Sequence, residues 1–334
     1  MRDPRAAIVE HVVPGAEVIE IAPLAPDDGD GETKKVAGYG QPARIRLRDG
    51  RELVWHTASA NEFGHDRRSD RAQELLLAYD DFARVPRHVR AIDVGAVIKG
   101  GAAVSLRDAD ELYLITTYAP GRVYADELRE AAARGVTARD RARVDALTSY
   151  LAELHAERGT AAGYRRAIRD LVGHGEGIFG VIDGYPEGVV SRARLAAIEA
   201  RCVEWRWRLR DRAHRAARTH GDFHPFNVVF APDDTITVLD ASRGTQGDPA
   251  DDWIAMGINY VFFGVRSLWE RYWAACRDDE LFDVAPPFLA WRALVLANPR
   301  FYPSMPAATR DDLLSWIERV LDRGRFDPSE APWS

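Results

Sequence analysis

The sequence has few of the residues that would place it in several common classes of protein. Its 334 residues include only two cysteines, Cys202 and Cys276, which excludes a disulfide framework and a CxxC metal site. No apolar run approaches the roughly eighteen residues of a membrane-spanning helix. The first residues also lack the apolar core of a signal peptide. We therefore expect a cytoplasmic protein that makes no membrane contact.

Lysine is scarce as well. The net charge is −7, which argues against a nucleic-acid-binding protein, and the only lysines are Lys34, Lys35 and Lys99. Apolar residues are abundant, because 46% of the sequence is hydrophobic. This length and content predict a large buried core in one bilobal unit or in two domains, rather than a disordered chain.

The first part of the chain, residues 1–120, is predicted to be rich in strands. Apolar residues alternate on both sides of Asp49-Gly50, a dipeptide typical of tight hairpin turns. Counting back from this turn predicts one face shared by Ile45, Leu47, Val54 and His56. A helix over residues 69–83, with Ser69 as its N-cap, and further strands over residues 91–106 and 111–121 are predicted to follow.

Residues 121–334 show helical periodicity instead. Apolar residues recur at helical spacing in four long segments, residues 141–159, 192–216, 251–276 and 310–324. The sequence therefore predicts an α+β protein with a small β-rich lobe over residues 1–120 and a larger helical lobe over residues 121–334.

One segment inside the helical region, residues 218–253 (RTHGDFHPFNVVFAPDDTITVLDASRGTQGDPADDW), concentrates polar residues around two short apolar runs. The runs predict a lone β-hairpin, and pairing Phe230 with Thr235 brings Asn227 and Asp240 to the same end of it. An amide oxygen and a carboxylate are ligands that suit Mg²⁺, which keeps several waters and accepts substrate phosphates. Asp222 stands five residues before Asn227, where it would reach a hydroxyl group across the metal.

The motifs of this segment resemble the catalytic segment of the protein-kinase-like fold, in the branch of the aminoglycoside phosphotransferases and choline kinases. There H-G-D-x-x-x-x-N is followed by an Asp at a strand end and by G-D-P-x-x-D, which match residues 220–227, Asp240 and residues 247–252. The resemblance implies a two-lobed kinase-like fold that uses ATP and Mg²⁺ to phosphorylate a hydroxyl group of a small molecule. It makes Asp222 the base that accepts the hydroxyl proton, and Asn227 and Asp240 the ligands of the metal.

Neighbouring polar residues are expected to have supporting roles. His220 is expected to brace the loop through hydrogen bonds. Asp248, followed by Pro249, has the pattern of a helix N-cap. Asp251 and Asp252 fall in the first turn of that helix, where the helix dipole stabilises negative charge, so they require no functional explanation.

The first lobe departs from the family pattern where the nucleotide should bind. A kinase-like lobe carries a lysine on its third strand, paired with a helix glutamate, but this strand carries His56. Three interpretations stay open. His56 binds phosphate with Glu74 or Asp70 as its partner, or it is a core residue while Lys34 or Lys35 supplies the charge, or the activity is altered or lost.

The order of the segments along the chain, compared with the family pattern, predicts further residues that contact the nucleotide. Gly38 and Gly40 would let backbone N–H groups approach the phosphates, and Tyr118 lies where the segment that contacts adenine is expected. Residues 175–180 (GEGIFG) match a dinucleotide-binding pattern, but a helix rather than a strand precedes them. We interpret them as a turn between helices that shapes the substrate side.

Two alternatives to a phosphotransferase stay open: a nucleotide-binding module without transferase activity, and a metal-dependent oxygenase that uses the H-x-D pattern of His220, Asp222 and His224. For the phosphotransferase, the expected partner is an aminoglycoside-like compound, an amino alcohol or a sugar, bound over the C-terminal helices of a monomer or homodimer. Acidic residues that would attract a polycation there are Glu270, Asp278, Asp279, Glu280 and Asp283.

Overall fold

The computed structural model describes residues 3–24, 42–241 and 243–333. The chain divides into two units, Met1–Thr116 and Thr117–Ser334. Four residues predicted to contact the nucleotide, Lys34, Lys35, Gly38 and Gly40, lie outside the described residues.

The first unit combines short strands with two helices. Its elements are α1 (Pro4–Val12), β1 (Val18–Pro23), β2 (Ala43–Leu47), β3 (Glu52–Trp55), α2 (Arg68–Phe82), β4 (Gly95–Val97) and β5 (Ala103–Ser105). Strands β1, β2 and β3 form an antiparallel sheet in that order, and β4 and β5 form a separate hairpin. Apolar residues of α1 cover one face of the three-stranded sheet and make a small core with Ile45 and Leu47.

The hairpin of β2 and β3 differs from the predicted one by one residue. Leu47 donates its N–H to the carbonyl of Arg51, so three residues rather than two form the loop, with Gly50 at a φ of 86°. Ile45 therefore lies opposite Leu53, and Val54 is 45% exposed. The predicted shared face is wrong, because a shift of one residue moves every side chain of a strand to the other face. Leu53 and Trp55, rather than Val54 and His56, join the core.

Two further predictions for this unit need correction. Helix α2 begins at Arg68 with Arg67 as its N-cap, and not at an N-cap on Ser69. Residues 111–121, all of them described, form no strand, and Tyr113, Leu114 and Ile115 are each more than 80% exposed. Apolar side chains form a stable strand only where a partner strand pairs with them, and none of the described strands pairs with this segment.

The second unit is mainly helical, as predicted. Its helices are α3 (Tyr124–Arg134), α4 (Ala138–Ala156), α5 (Ala161–Gly173), α6 (Ile178–Asp183), α7 (Arg192–Arg210), α8 (Pro249–Phe262), α9 (Arg266–Ala275), α10 (Leu281–Val284), α11 (Pro286–Ala297) and α12 (Ala307–Arg323). The single helix predicted over residues 251–276 is two helices, α8 and α9. They separate at Gly264, whose φ of 69° is in the left-handed region and ends the helical path.

A small sheet lies among these helices. Strand β6 (Arg122–Val123) pairs with β7 (Val228–Phe230), and β7 pairs with β8 (Ile236–Val238), so the predicted hairpin is not alone. Phe230 lies opposite Ile236 rather than Thr235, which again shifts the predicted register by one residue. Strand β7 is entirely buried, and this anchors the polar loop that precedes it to the core.

The core of the second unit is large and rich in aromatic residues. Trp316, Tyr124, Tyr164 and Tyr260 are fully buried in it. Cys202 is buried in the same core, and burial raises the pKa of its thiol to about 12. None of the described helices is both long and apolar enough to cross a membrane. The α+β, two-lobed fold class predicted from the sequence is confirmed.

Candidate active site

A buried carboxylate, that of Asp252, accepts hydrogen bonds from the loop of residues 219–227 and fixes its position. The backbone N–H groups of His220 and Gly221 donate to Asp252 Oδ2 and Oδ1 at 2.9 and 2.8 Å. His155 Nε2 lies 3.0 Å from Oδ2 of the same carboxylate. Asp252 is fully buried, so these partners replace the water that it would otherwise bind. The sequence interpretation assigned no function to Asp252, but the structure makes it the residue that holds this loop.

His220 and Asp248 stabilise the same region. His220 Nδ1 accepts a hydrogen bond from the backbone N–H of Asp222 at 3.3 Å, and its ring packs edge-on against Phe223. Asp248 is the N-cap of α8, accepting from the backbone N–H of Ala250 at 2.9 Å. Arg215 also donates to both Asp248 oxygens, each at 2.9 Å, which ties the start of α8 to the segment before the loop.

Asp222 lies in this loop, largely buried among cationic groups. Its Oδ1 accepts from Arg292 Nη1 at 2.6 Å and lies 3.8 Å from Arg243 Nη2. Its Oδ2 lies 3.5 Å from His224 Nε2. Burial alone would raise the pKa of Asp222, but the hydrogen bond from His224 and the charges of Arg292 and Arg243 outweigh it and hold this pKa well below its ordinary value. Asp222 is therefore an ionised carboxylate at every physiological pH.

Arg292 is a central residue of the site that the sequence interpretation missed. It extends from α11, and besides Asp222 it donates through Nη2 to the carbonyl of Gly221 and to Asp251 Oδ1, both at 3.1 Å. No spacing rule links it to a loop seventy residues earlier in the sequence. One signal was present, because a lone arginine in the apolar helix PPFLAWRALVLA is buried, and a buried charge needs partners.

Arg243 approaches the same carboxylate from another direction. Its guanidinium lies 4.3 Å from the centroid of the Trp291 ring, and its Nη1 donates to the carbonyl of Glu176 at 3.3 Å. Trp291 Nε1 donates to the same carbonyl at 3.1 Å. Residues 175–180 were predicted to form a turn that shapes the substrate side, but residues 178–180 begin α6. Glu176, in the part that does turn, contacts Arg243, which approaches Asp222, and Trp291.

Asn227 joins the loop to the predicted metal site. Its Nδ2 donates to the backbone carbonyl of Asp222 at 3.1 Å and lies 3.4 Å from Asp222 Oδ2. Because the amide nitrogen faces Asp222, the amide oxygen is the atom left for a metal ion. The backbone N–H of Leu239 donates to the carbonyl of Asn227 at 2.8 Å, so Asp240 follows the residue that pairs with Asn227.

Asp240 has an unusual backbone conformation for a residue that follows a strand. In a continued strand its side chain would face away from that of Asn227, since neighbouring positions alternate. Its φ of 54° lies in the left-handed region and breaks that alternation. Asp240 is exposed, and no described side chain hydrogen-bonds or ion-pairs with its carboxylate. Such strain at a polar residue is typical of a functional position.

These two residues fit a Mg²⁺ ion better than a transition metal. They offer an oriented amide oxygen and an unengaged carboxylate, both hard oxygen donors. Within residues 3–24, 42–241 and 243–333, no three His, Cys, Asp or Glu side chains are grouped to hold a metal ion. The oxygenase alternative needs such a group, whereas Mg²⁺ completes its shell with water and substrate phosphates. The oxygenase alternative therefore has no ligand set among the described residues.

Of the residues predicted to contact the nucleotide, the structure describes His56, Asp70, Glu74 and Tyr118. His56 follows β3 and is exposed, and Glu74 Oε2 lies 3.1 Å from Nε2 of His65. The other proposed partner of His56, Asp70, caps α2 by accepting from the backbone N–H of Arg67 at 2.7 Å. Tyr118 is 87% exposed.

Comparison with known proteins identifies the family. Residues 50–291 match the model of the phosphotransferase enzyme family, APH. Among solved structures, the chain is similar to the choline kinase LicA from Streptococcus pneumoniae, with a TM-score of 0.35 and 10% identity over 94% of this chain and 96% of that one. It is also similar to the aminoglycoside phosphotransferase APH(3'')-Id from Streptomyces rimosus, with a TM-score of 0.31 and 16% identity over 86% and 90% of the two chains.

None of the curated proteins matches the sequence. The family model, however, covers most of the chain and includes the whole loop of Asp222, both predicted metal ligands and the first half of α11. The resemblance recognised in the sequence motifs is confirmed. The chain belongs to the phosphotransferase enzyme family.

Proposed function

We propose that this protein transfers the γ-phosphoryl group of ATP to a hydroxyl group of a small molecule, with Mg²⁺ as its cofactor. The observation that carries the proposal is the double contact of the Asn227 amide with Asp222. One short loop thereby holds the residue that would orient the acceptor and a residue that would hold the metal. Phosphoryl transfer requires mainly such positioning and charge neutralisation from a protein.

In the proposed reaction Asp222 accepts a hydrogen bond from the acceptor hydroxyl. The hydroxyl oxygen forms a bond to the γ-phosphorus, the bond from that phosphorus to the ADP oxygen breaks, and the hydroxyl proton passes to Asp222. Because Arg292 and Arg243 keep the pKa of Asp222 low, this carboxylate is a weak base. Its main contribution is to orient the hydroxyl, and it receives the proton late, as a loose transition state allows.

Asn227 and Asp240 would hold Mg²⁺, which when bound neutralises the charge that develops on the phosphates. For the nucleotide itself, His56, Tyr118 and the Gly38 to Gly40 segment stay proposals. His56 would provide a weaker phosphate contact than the lysine of the family pattern.

The test measures ATP consumption in the presence of each acceptor from a panel of amino alcohols, sugars and aminoglycosides. Each reaction is run once with Mg²⁺ and once with EDTA, and ³¹P NMR identifies the phosphorylated product. We expect consumption only with both the metal and an acceptor. Asp240→Asn should lower the rate by about 10²-fold or more, because it weakens the metal site. Asp312→Asn removes an exposed carboxylate of α12 and is the matched control. Equal rates for the two variants would remove Asp240 from its role.

A second candidate is a nucleotide-binding module without transferase activity. One observation favours it. Glu74 contacts His65, whereas the family pattern pairs a helix glutamate with a lysine of the third strand. Titration calorimetry with ATP and Mg²⁺ separates the two functions when run beside the same panel. Metal-dependent binding without turnover of any acceptor would favour the module.

A further inference from the structure

Three residues from three segments of the second unit meet beneath the loop of Asp222. His155 lies in the last turn of α4, His220 lies in the loop, and Asp252 lies in the first turn of α8. His155 Nε2 is 3.0 Å from Asp252 Oδ2, and the backbone N–H of His220 donates to the same oxygen at 2.9 Å. Because an ionised carboxylate only accepts hydrogen bonds, the hydrogen between the two side chains belongs to His155 Nε2. One oxygen therefore joins α4 to the loop.

Backbone hydrogen bonds fix the three segments relative to one another. The N–H of Arg218 donates to the carbonyl of Glu157 at 2.8 Å, which ties the residues before the loop to the end of α4. Ala217 and Gly247 exchange both of their backbone hydrogen bonds, each at 3.0 Å, which ties the same residues to the segment before α8. Because Glu157 follows His155 so closely in the chain, these bonds fix the position of the imidazole relative to the loop.

A second residue of α4 contacts the loop through packing. The Tyr150 ring stacks on the ring of Phe223, with 5.5 Å between the ring centroids, and Phe223 is fully buried. This contact does not depend on the imidazole of His155, so it keeps α4 against the loop when that imidazole is replaced. A change of function in a His155 variant then reports on the hydrogen bond to Asp252 rather than on loss of the helix contact.

The carboxylate of Asp252 depends on few donors. It is fully buried, and among the described residues its donors are His155 Nε2 and the backbone N–H groups of His220 and Gly221. A buried carboxylate that loses one of three donors is destabilised, and it shifts toward another donor or toward water. Either movement would displace the two N–H groups of the loop, and Asp222 directly follows the second of them.

We propose that His155 is a positioning residue, whose hydrogen bond to Asp252 holds the loop in the conformation in which Asp222 orients the acceptor. Its effect on the reaction rests on the proposed function, whereas its effect on the loop does not. His155 acts through Asp252, because the carboxylate of Asp222 has other partners, among them Arg292 and His224. A small displacement of the group that orients a substrate lowers the rate of the chemical step more than it lowers affinity.

Two substitutions of His155 separate the hydrogen bond from the packing. His155→Leu occupies much of the same space without a donor, whereas His155→Gln keeps an N–H donor at a similar distance from the backbone. We expect His155→Leu to lower kcat by about 10- to 100-fold, the range that a hydrogen bond to a charged group supplies, with KM values changed by at most a few-fold. His155→Gln should restore kcat to within a few-fold of the wild type. If His155→Leu does not fold, His155→Asn, whose amide is too short to reach the carboxylate, takes its place.

A second histidine of the same unit provides the matched control. His214 Nε2 also faces a carboxylate, at 2.8 Å from Glu280 Oε2, but the His214 side chain is 57% exposed. An exposed pair of this kind contributes little, so His214→Leu should keep the kcat of the wild type. Equal kcat values for His155→Leu and His214→Leu overturn the inference. So does a raised KM with an unchanged kcat, or an equal loss in His155→Leu and His155→Gln, which would assign the effect to the shape of the ring.

Hydrogen–deuterium exchange separates this inference from the proposed function, because it requires no turnover. In His155→Leu, fragments that contain residues 219–222 should exchange about tenfold faster or more than in the wild type, while fragments from α11 keep their rate. His155→Gln and His214→Leu should exchange as the wild type does. If no compound is phosphorylated but the loop responds in this way, the proposed transfer fails and the positioning role stands. An unchanged loop in His155→Leu, or equal acceleration of all fragments, overturns the positioning role.

Discussion

The two units of this protein hold their candidate functional residues in different ways. In the second unit, Asp222 is fixed by a buried arginine, and its loop is fixed by a fully buried carboxylate, Asp252. In the first unit, the core is small, α2 has no buried residue, and His56 is exposed. In the proposed reaction, the residue that would orient the acceptor is therefore fixed within one unit. Among the described residues, His56, which would contact the nucleotide, is not fixed in this way.

The largest expected effect comes from the best-fixed residue. Asp222→Asn should lower kcat by about 10²–10⁴, the usual contribution of a positioned acid or base, and leave the affinity for ATP nearly unchanged. Steady-state kinetics and calorimetry measure the two quantities. An unchanged turnover number would mean that the rigid loop of the second unit does not carry the reaction.

Substitutions in the two units should also differ in how much they lower the free energy of unfolding, with the larger effect in the second unit. Leu147→Ala, in the fully buried face of α4, is expected to lower the free energy of unfolding by about 2–5 kcal/mol. Val54→Ala, on the exposed face of β3, should change it by about 0.5 kcal/mol or less. Urea denaturation followed by tryptophan fluorescence gives both values. A large cost for Val54→Ala would show that the first unit has a core on that face as well.

The pH dependence of stability tests the charge cluster directly. Burial raises the pKa of Asp251 to about 6, against the opposing effect of Arg292. Because the unfolded chain binds the same proton only near pH 4, the folded protein gains stability from this group as pH falls from about 6 to 4. The Tm of the wild type should therefore rise relative to that of Asp251→Asn over this range. A constant difference in Tm would show that Asp251 titrates at its ordinary value.

The smallest expected effect lies on the nucleotide side. If His56 binds phosphate, His56→Ala should raise the KM for ATP a few-fold, and His56→Lys, which carries a permanent charge, should lower it. An unchanged KM in His56→Ala would indicate that Lys34 or Lys35 supplies the charge instead.

The sequence predicted much of the second unit because local patterns determine it. Apolar spacing predicted the long helices, and the Asp248-Pro249 pair predicted the start of α8. The apolar runs predicted the strands β7 and β8, but not their register, since Phe230 pairs with Ile236. The length of a tight turn decides register, and one residue more or less there changes all the pairs.

What the sequence by itself determined is the set of chemical groups and their order: one H-G-D loop, an asparagine five residues after its aspartate, and a carboxylate at a strand end. Only the tertiary structure decided which charges surround Asp222. Arg292 reaches it from a helix seventy residues later, and Asp252 supports its loop from a position that the helix dipole alone already explained. Long-range contacts of this kind follow from packing of helices around a shared core, and no local spacing in the chain encodes them.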